Sequence, residues 1–348
     1  MVLLVKKIRW GATSPLFSTK NTYKVGEKMS NVLITGGAGF IGSNLAHDLV
    51  EKGNKVMIID DLSMGRLENL VDIQDKITFI EHDVCDHEFM HELLLKNNFD
   101  YIYYLAAVAS VADSVERPVP THKINQESVL DTLEFIRANE LKIKRFVFSS
   151  SAAVYGNLKA SPKKEDMPVQ PLTPYAVDKY ASERFTLDYN YLYGVPTAAV
   201  RFFNVYGPMQ NPESPYSGVL SIITDKLQKN ETFTLYGDGS QTRDFVYVGD
   251  VVAALQLVAE KTPVSTVYNI ADGGETSLND VIHTYEEVAH RKLDINYLPK
   301  RNGDIDKSLA DVTKIKTLGF KPKWTLKDGL KEYWDYEEKR AETHGQHE

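Results

Sequence analysis

A single cysteine, Cys85, leaves this chain without a partner for an intramolecular disulfide, so neither a disulfide scaffold nor an oxidising compartment is indicated. Long apolar runs are missing as well. No stretch approaches the roughly 20 residues that a membrane-spanning helix needs, and Met1-Val2-Leu3-Leu4-Val5-Lys6-Lys7 lacks the order and the small-residue cleavage site of a secretory signal. Positive charge is not in excess: 40 Lys and Arg against 48 Asp and Glu leave a net charge of −8. That balance is spread along the chain and argues against nucleic acid as a partner. Internal repeats and low-complexity segments are also absent. What remains is ordinary globular composition, 43 % hydrophobic and 25 % charged over 348 residues. It suffices for one large domain or two smaller ones, with no membrane partner and the cytoplasm as the expected setting.

Residues 1–30 are polar and aperiodic up to Lys28, after which Met29-Ser30 opens directly into an apolar run. They read as a leader, an extension added for expression or a mis-assigned start, with Met29 the functional beginning; a genuine short N-terminal arm is the alternative.

The run Asn31-Val32-Leu33-Ile34-Thr35 is a buried-strand pattern leading into Gly36-Gly37-Ala38-Gly39-Phe40-Ile41-Gly42 and a helix over Ser43–Lys52. Glycines at this strand-to-helix junction allow a tight turn, close approach of backbone N–H groups to a pyrophosphate, and close helix–strand packing. The helix N-terminus adds partial positive charge. The next strand, Lys55–Ile59, ends at Asp60-Asp61. A carboxylate there accepts hydrogen bonds from an adenosine ribose and repels a 2′-phosphate, so NAD is expected rather than NADP.

Strand and helix patterns keep alternating. Strands are predicted at Lys76–Ile80, Tyr101–Leu105, Arg145–Phe148 and Thr197–Arg201, and helices at His87–Lys96, Val119–Asn139 and around Tyr175. This is an α/β chain with a doubly wound parallel sheet, whose ligands bind at the carboxyl ends of the strands. The glycine loop, Asp60, Asp83, Ala106-Ala107 and Ser149-Ser150-Ser151 all fall on that edge. Tyr175 and Lys179 are one helical turn apart, so they share a face. An ammonium near a phenol lowers its pKa, which would let Tyr175 serve as a base near neutral pH. A strand-tip serine would complete a proton relay over a bound alcohol.

Two motifs are set aside. His87-Glu88-Phe89-Met90-His91 has the spacing of a zinc site, but it sits on a crossover helix with no third ligand pattern and reads as a solvated face, so no metal is expected. Asn230-Glu231-Thr232 matches a glycosylation sequon, without meaning in the cytoplasm.

Beyond residue 200 the alternation loosens. Asn204–Ser217 is a long loop of the kind that carries function, followed by a helix over Val219–Lys229, a strand at Thr232–Tyr236, and another over Arg243–Tyr247. Helices are predicted over Asp250–Lys261, Ser277–His290 and Lys327–Glu337. The expected division is 31–200 for the dinucleotide part and 201–348 mainly for substrate, with segments near 245–271 returning to the main sheet. Arg243 and Arg301 could clamp an anionic ligand, because guanidinium binds phosphate bidentately.

The set Thr35–Gly42, Leu105-Ala106-Ala107, Ser149–Gly156, Tyr175–Lys179 and Arg201-Phe202-Phe203-Asn204-Val205-Tyr206-Gly207-Pro208 closely resembles the extended short-chain dehydrogenase/reductases, and within them the nucleotide-sugar 4-epimerases. The resemblance runs from about residue 31 to 337. It implies tightly bound NAD in a Rossmann-type domain, a UDP-sugar in a cleft against a smaller C-terminal domain, and a homodimer joined through a helix bundle. It also implies Tyr175 as catalytic base and acid, Lys179 as its partner and ribose contact, and Ser151 as the hydroxyl bridging to the sugar. For the cofactor it implies Gly36, Gly39, Phe40, Ile41, Gly42, Asp60, Asp61, Ser63, Gly65, Asp83, Val84, Leu105, Ala106, Ala107, Asn125 and Phe202. For the substrate it implies Ser114, Asn204, Gly218, Val219, Leu220, Tyr236, Arg243, Arg301, Asp304 and Ser308.

The chain departs from the family pattern at Tyr104, where many relatives have His, and at Ala153, where Thr is frequent. In this family dehydratases place an Asp-Glu pair after the Ser or Thr, and decarboxylases tend to carry an acid before Val-Tyr-Gly. Here Ala152 and Ala153 cannot transfer protons, which favours an epimerase of UDP-hexoses over those alternatives. A non-catalytic NAD-binding regulator would have no need of Ser151, Tyr175 and Lys179 together. Ser308 occupies a position where a bulky family Tyr narrows the sugar pocket, and the loop Asn211–Gly218 resembles the N-acetylhexosamine-tolerant branch. Both suggest room for a 2-acetamido group.

Overall fold

The computed structural model describes residues 29–211, 218–300 and 306–345; the presumed leader up to Lys28 lies outside them. Six strands come first: β1 (Asn31–Thr35), β2 (Lys55–Asp60), β3 (Ile77–Glu81), β4 (Tyr101–Tyr104), β5 (Arg145–Ser151) and β6 (Thr197–Phe202). They are followed by β7 (Asn204–Tyr206), β8 (Phe233–Tyr236), β9 (Thr242–Arg243), β10 (Phe245–Tyr247), β11 (Val267–Ile270), β12 (Thr276–Ser277), β13 (Ile295–Leu298) and β14 (Lys307–Ser308). The larger helices are α1 (Phe40–Glu51), α2 (His87–Lys96), α3 (Val111–Glu116), α4 (Pro118–His122), α5 (Ser128–Ala138), α6 (Pro174–Tyr193), α7 (Val219–Lys229), α8 (Val248–Lys261), α9 (Leu278–Ala289), α10 (Thr313–Lys316) and α11 (Leu326–Gly345).

A seven-stranded sheet in the order β11-β6-β5-β4-β1-β2-β3 forms the centre, and all its pairings are parallel. Helices on both faces bury every second residue to opposite sides. Val32 and Ile34 join the core shared with α1 and α8, whereas Leu33 joins the core shared with α2, α5 and α6. This is why the strands read as continuous apolar runs instead of alternating ones. It is the doubly wound α/β fold of the Rossmann type. A third apolar cluster unites α7, α9 and α11 with β8 and β10, outside the large sheet.

Local pattern and structure part company in three places. The single helix expected over Val119–Asn139 is α4, a five-residue π-helical segment at Lys123–Glu127, and α5. Pro118 and Pro120 cannot extend an upstream ladder, and the widened π turn marks where Asn125 is drawn aside to bond with Val108. The strand expected over Arg243–Tyr247 is two strands in two different sheets: β9 pairs with β12 and β14, and β10 pairs with β7. Asp244 stands at the break. A 3₁₀ segment at Leu67–Lys76, with only Asn69, Leu70 and Ile73 buried, has no counterpart among the sequence expectations. The stretch Val267–Ile270 does return to the main sheet, pairing with β6.

Candidate active site

The glycine loop is built by close approach. Gly36 takes φ +70°, and a Cβ there would lie 2.8 Å from the Ala106 backbone, so the turn after β1 can abut the end of β4 only without a side chain. A Cβ on Gly42 would clash with the Gly36 carbonyl. The loop therefore delivers the N-terminus of α1 to the carboxyl edge of the sheet, between strands whose connections run in opposite directions.

There a cavity of about 320 Å³ opens. It is lined by Gly36, Gly39, Phe40, Ile41, Gly42, Asp60, Asp61, Ser63, Gly65, Asp83, Val84, Leu105, Ala106, Ala107, Tyr175, Lys179 and Phe202, all expected at the cofactor, and also by Met64, Arg66, Ser149, Ser150, Met209, Gln210 and Asn211. Asp60 is anchored by N–H donation from Ala38 and Leu62, both at 2.9 Å, and its burial raises its pKa. Each of its oxygens keeps a lone pair for a ribose hydroxyl. Asp61 accepts from the Ser63 amide and hydroxyl. A carboxylate pair at one end and a helix N-terminus in the middle suit an adenosine diphosphate without a 2′-phosphate.

Asn125 is the exception among the cofactor expectations. Its carboxamide accepts from the Val108 amide at 2.9 Å and donates to the Val108 carbonyl at 3.2 Å, so it braces the segment after β4 and does not line the cavity.

The reactive side chains are set by β5 and α6. Thr173 caps α6, and the Ser114 hydroxyl accepts from the Tyr175 amide at 3.1 Å, fixing the first turn. Ser114, expected at the substrate, is fully buried, lines neither cavity, and bonds instead to the Tyr175 amide and the Val111 carbonyl. Lys179 donates to the Ser149 carbonyl at 2.8 Å. One helical turn further, Glu183 accepts from the Ser150 hydroxyl at 2.7 Å and takes a bidentate, buried ion pair from Arg201, at 2.9 and 2.6 Å. Two successive turns of α6, at Lys179 and Glu183, thus meet Ser149 and Ser150 of β5.

The electrostatics differ from the sequence expectation. Burial raises the Tyr175 phenol, and the Ser151 side chain is the group that lowers it. The Lys179 ammonium lies 5.9 Å from the Tyr175 ring centroid and is itself brought down to about 7 by burial, against a smaller raising effect of Asp178. The lowering of Tyr175 by Lys179 is therefore not achieved by these side chains alone, because desolvation of the phenolate outweighs a charge held at the Ser149 carbonyl.

A second cavity, about 340 Å³, meets the first at Phe202 and is lined by Ser151, Ala152, Ala153, Gly156, Asn157, Asn204, Arg243 and Ser308 among others. Gly218 lines the first cavity instead. Of the other substrate expectations, Val219 begins α7, Leu220 is buried in the third apolar cluster, and Tyr236 ends β8; none of the three lines either cavity. Arg301 and Asp304 lie outside the described residues. His87 and His91 of the zinc-like motif both pair with Asp131 of α5, at 3.2 and 2.8 Å, and His91 stacks on Phe135, so this face of α2 meets α5 and is not the solvated face expected from the sequence.

A family model described as GDP-mannose 4,6 dehydratase matches residues 33–333. A putative UDP-glucose 4-epimerase of Methanocaldococcus jannaschii is 38% identical over 301 residues, 86% of this chain and 96% of that one. The chain belongs to the extended short-chain dehydrogenase/reductases. A UDP-glucose 4-epimerase of Thermotoga maritima, solved with UDP-glucose, superposes with a TM-score of 0.84 at 37% identity, covering 89% of this chain and 99% of that one. A UDP-N-acetylglucosamine 4-epimerase of Methanobrevibacter ruminantium, solved with UDP-N-acetylmuramic acid, gives 0.85 at 35% identity, covering 90% and 100%. Other members catalyse other reactions: an Arabidopsis thaliana UDP-glucuronic acid decarboxylase is 32% identical over 88% of this chain and 69% of that one. A Bacillus anthracis dTDP-glucose 4,6-dehydratase, solved with NAD, gives a TM-score of 0.80 at 28% identity, covering 90% and 98%. The chain is thus an enzyme of the nucleotide-sugar branch of these dehydrogenases, and its cofactor is NAD.

Sequence reasoning missed Met209, Gln210 and Asn211 as cofactor-cavity residues. They reach it because the Ser43 hydroxyl and the Asn44 carboxamide tie Met209 and Pro208 onto α1. The only sequence signal was the length and the Pro, Asn and Gly content of the loop after Asn204.

Proposed function

We propose that the protein is a 4-epimerase of UDP-hexoses, acting on UDP-Glc/UDP-Gal and on UDP-GlcNAc/UDP-GalNAc. The observation that carries this is the pairing of Ser151 and Tyr175 at the junction of the two cavities with Ala152 and Ala153 on the wall of the second. Two hydroxyls are available for a proton relay, whereas the positions where elimination of water would need an acid and a base hold methyl groups.

The residues lining the first cavity would hold NAD, which would supply a hydride acceptor and donor for C4 of the sugar. Tyr175 removes and returns the proton of the 4-hydroxyl, with Ser151 bridging the two oxygens. Lys179 holds the ribose side and the Ser149 strand end. Arg243 neutralises the diphosphate, and Asn204 contacts the substrate. The 4-keto sugar turns over within the second cavity and is reduced on its opposite face. Ser308 leaves space there for a 2-acetamido group. A homodimer and a cytoplasmic setting belong to the same reading. The dimer is supported by exposed apolar side chains on α6, Val177, Tyr191, Leu192 and Tyr193, with Tyr191 87% exposed.

The test is incubation of the purified protein with each of UDP-Glc, UDP-Gal, UDP-GlcNAc and UDP-GalNAc, without added NAD, followed by proton NMR. Interconversion within a C4 pair is expected. A dehydrated or decarboxylated product, or no turnover of any of the four, would remove the epimerase assignment.

A further inference from the structure

The break between β9 and β10 places a buried carboxylate where four segments meet. Asp244 is fully buried. One of its oxygens accepts from the amides of Asp272 and Gly273 at 2.9 and 3.2 Å; the other accepts from Gly273 and Ala310 at 3.2 and 3.1 Å. Its backbone carbonyl accepts both the amide and the carboxamide of Asn204, each at 3.2 Å. Arg243 precedes it and pairs in register with Ser308. Asn204, Arg243 and Ser308 all line the second cavity; Asp272, Gly273 and Ala310 do not.

We propose that Asp244 is a positioning residue for the substrate wall: by gathering the turn after β11, the segment after β14 and the start of β7 on one carboxylate and one carbonyl, it holds Arg243, Ser308 and Asn204 in a single arrangement. The proposal rests on the reading of the second cavity as the nucleotide-sugar site. Arg243 and Ser308 sit on strands two residues long, which have too few ladder bonds to fix their own geometry. The anchor has to come from a group that accepts several N–H donors at once, and a carboxylate is the side chain that does so on both oxygens. An asparagine could keep one oxygen in place but would turn its amino group against a backbone N–H, freeing either Ala310 or the turn after β11.

The test compares holoenzyme and Asp244→Asn by calorimetric titration with UDP, by KM and kcat on the best UDP-sugar, and by bound NAD content. The expected result is a Kd for UDP raised about tenfold or more, as for a buried donor left unpaired. KM should rise in parallel while kcat and NAD content change little, a split that general loss of folding would not produce. Equal UDP affinity of the two proteins, including no binding by either, overturns the proposal. Failure of all four UDP-sugars to turn over removes the epimerase assignment alone and leaves the comparison of UDP affinities standing. Should the variant not fold, hydrogen exchange of the wild-type holoenzyme decides. UDP is expected to slow exchange of the Asp272 and Gly273 amides, which donate to the Asp244 carboxylate and do not line the cavity, and unchanged exchange there overturns the proposal.

Discussion

The cofactor cavity and the substrate cavity are made in different ways. The first is lined by the ends of strands adjacent in one sheet, each followed by its own short loop, so most of its wall comes from a few residues after β1, β2, β3, β4 and β5. The second is assembled from residues far apart in the chain, Ser151, Leu172, Asn204, Arg243 and Ser308, on five separate pieces of backbone, two of them strands only two residues long. A regular sheet needs no further support for its edge, whereas a wall of short strands needs specific buried anchors. The two halves therefore differ in where a single substitution does damage.

The largest effect is expected at the boundary. Tyr175→Phe removes the hydroxyl proposed to exchange the sugar proton while keeping its ring in the core. kcat in the NMR assay should fall about a thousandfold, the scale of a lost general acid–base, with NAD still bound. A loss below tenfold would transfer the proton step to another group.

Next comes the brace behind the cofactor half. Glu183→Gln leaves the buried Arg201 guanidinium without its carboxylate and should cost about 3 kcal/mol of stability, measured as a lowered denaturant midpoint. An unchanged midpoint would show that the Glu165 carbonyl and the Tyr155 ring, 3.4 and 4.7 Å from the guanidinium, suffice to hold it.

Acid and alkali should separate the halves by the sign of their slopes. Lys179 is lowered from 10.5 to about 7, so between those values the unfolded chain holds a proton that the folded chain does not, and stability contributed by this group rises with pH. Asp244 is raised by burial from 3.8 to about 6, partly offset by its backbone N–H donors. In that window the folded chain holds the extra proton, and stability contributed by this group falls as pH rises. Thermal unfolding across pH should show Lys179→Met flattening the upper window alone and Asp244→Asn the lower one alone. The same window moved by both variants would refute the separation.

The smallest effect should be the most selective. Ser308→Tyr fills space in the second cavity, and activity on UDP-GlcNAc and UDP-GalNAc should drop about tenfold or more while plain UDP-hexoses are spared; one pocket contact of this kind discriminates by about 10- to 200-fold. Equal loss on both sugar classes would place Ser308 outside sugar selection.

Much of the cofactor half was legible from local pattern because its determinants are local. Asn31–Thr35 into Gly36–Gly42, the acidic end of β2, and the one-turn spacing of Tyr175 and Lys179 each lie within a few residues, where periodicity and glycine chemistry act. Asn125 and Ser114 have backbone partners, at Val108 and Tyr175, that no local pattern shows. A polar residue on a helix does not announce whether it faces a cavity or another backbone. The substrate half was legible mainly through family resemblance, and its organising break at Asp244 was read through as one strand.

The alternation of apolar runs and helices, with glycine where β1 turns into α1, determined by itself that the chain makes a doubly wound sheet with a dinucleotide edge, since backbone sterics and periodicity are properties of neighbouring residues. Tertiary structure alone decided that Asp244 splits β9 from β10 into two sheets, that Met209 folds back onto α1, and that Lys179 and Tyr175 are both desolvated. Those depend on which distant segments exclude water from one another, and burial is not a property that any short stretch of sequence carries.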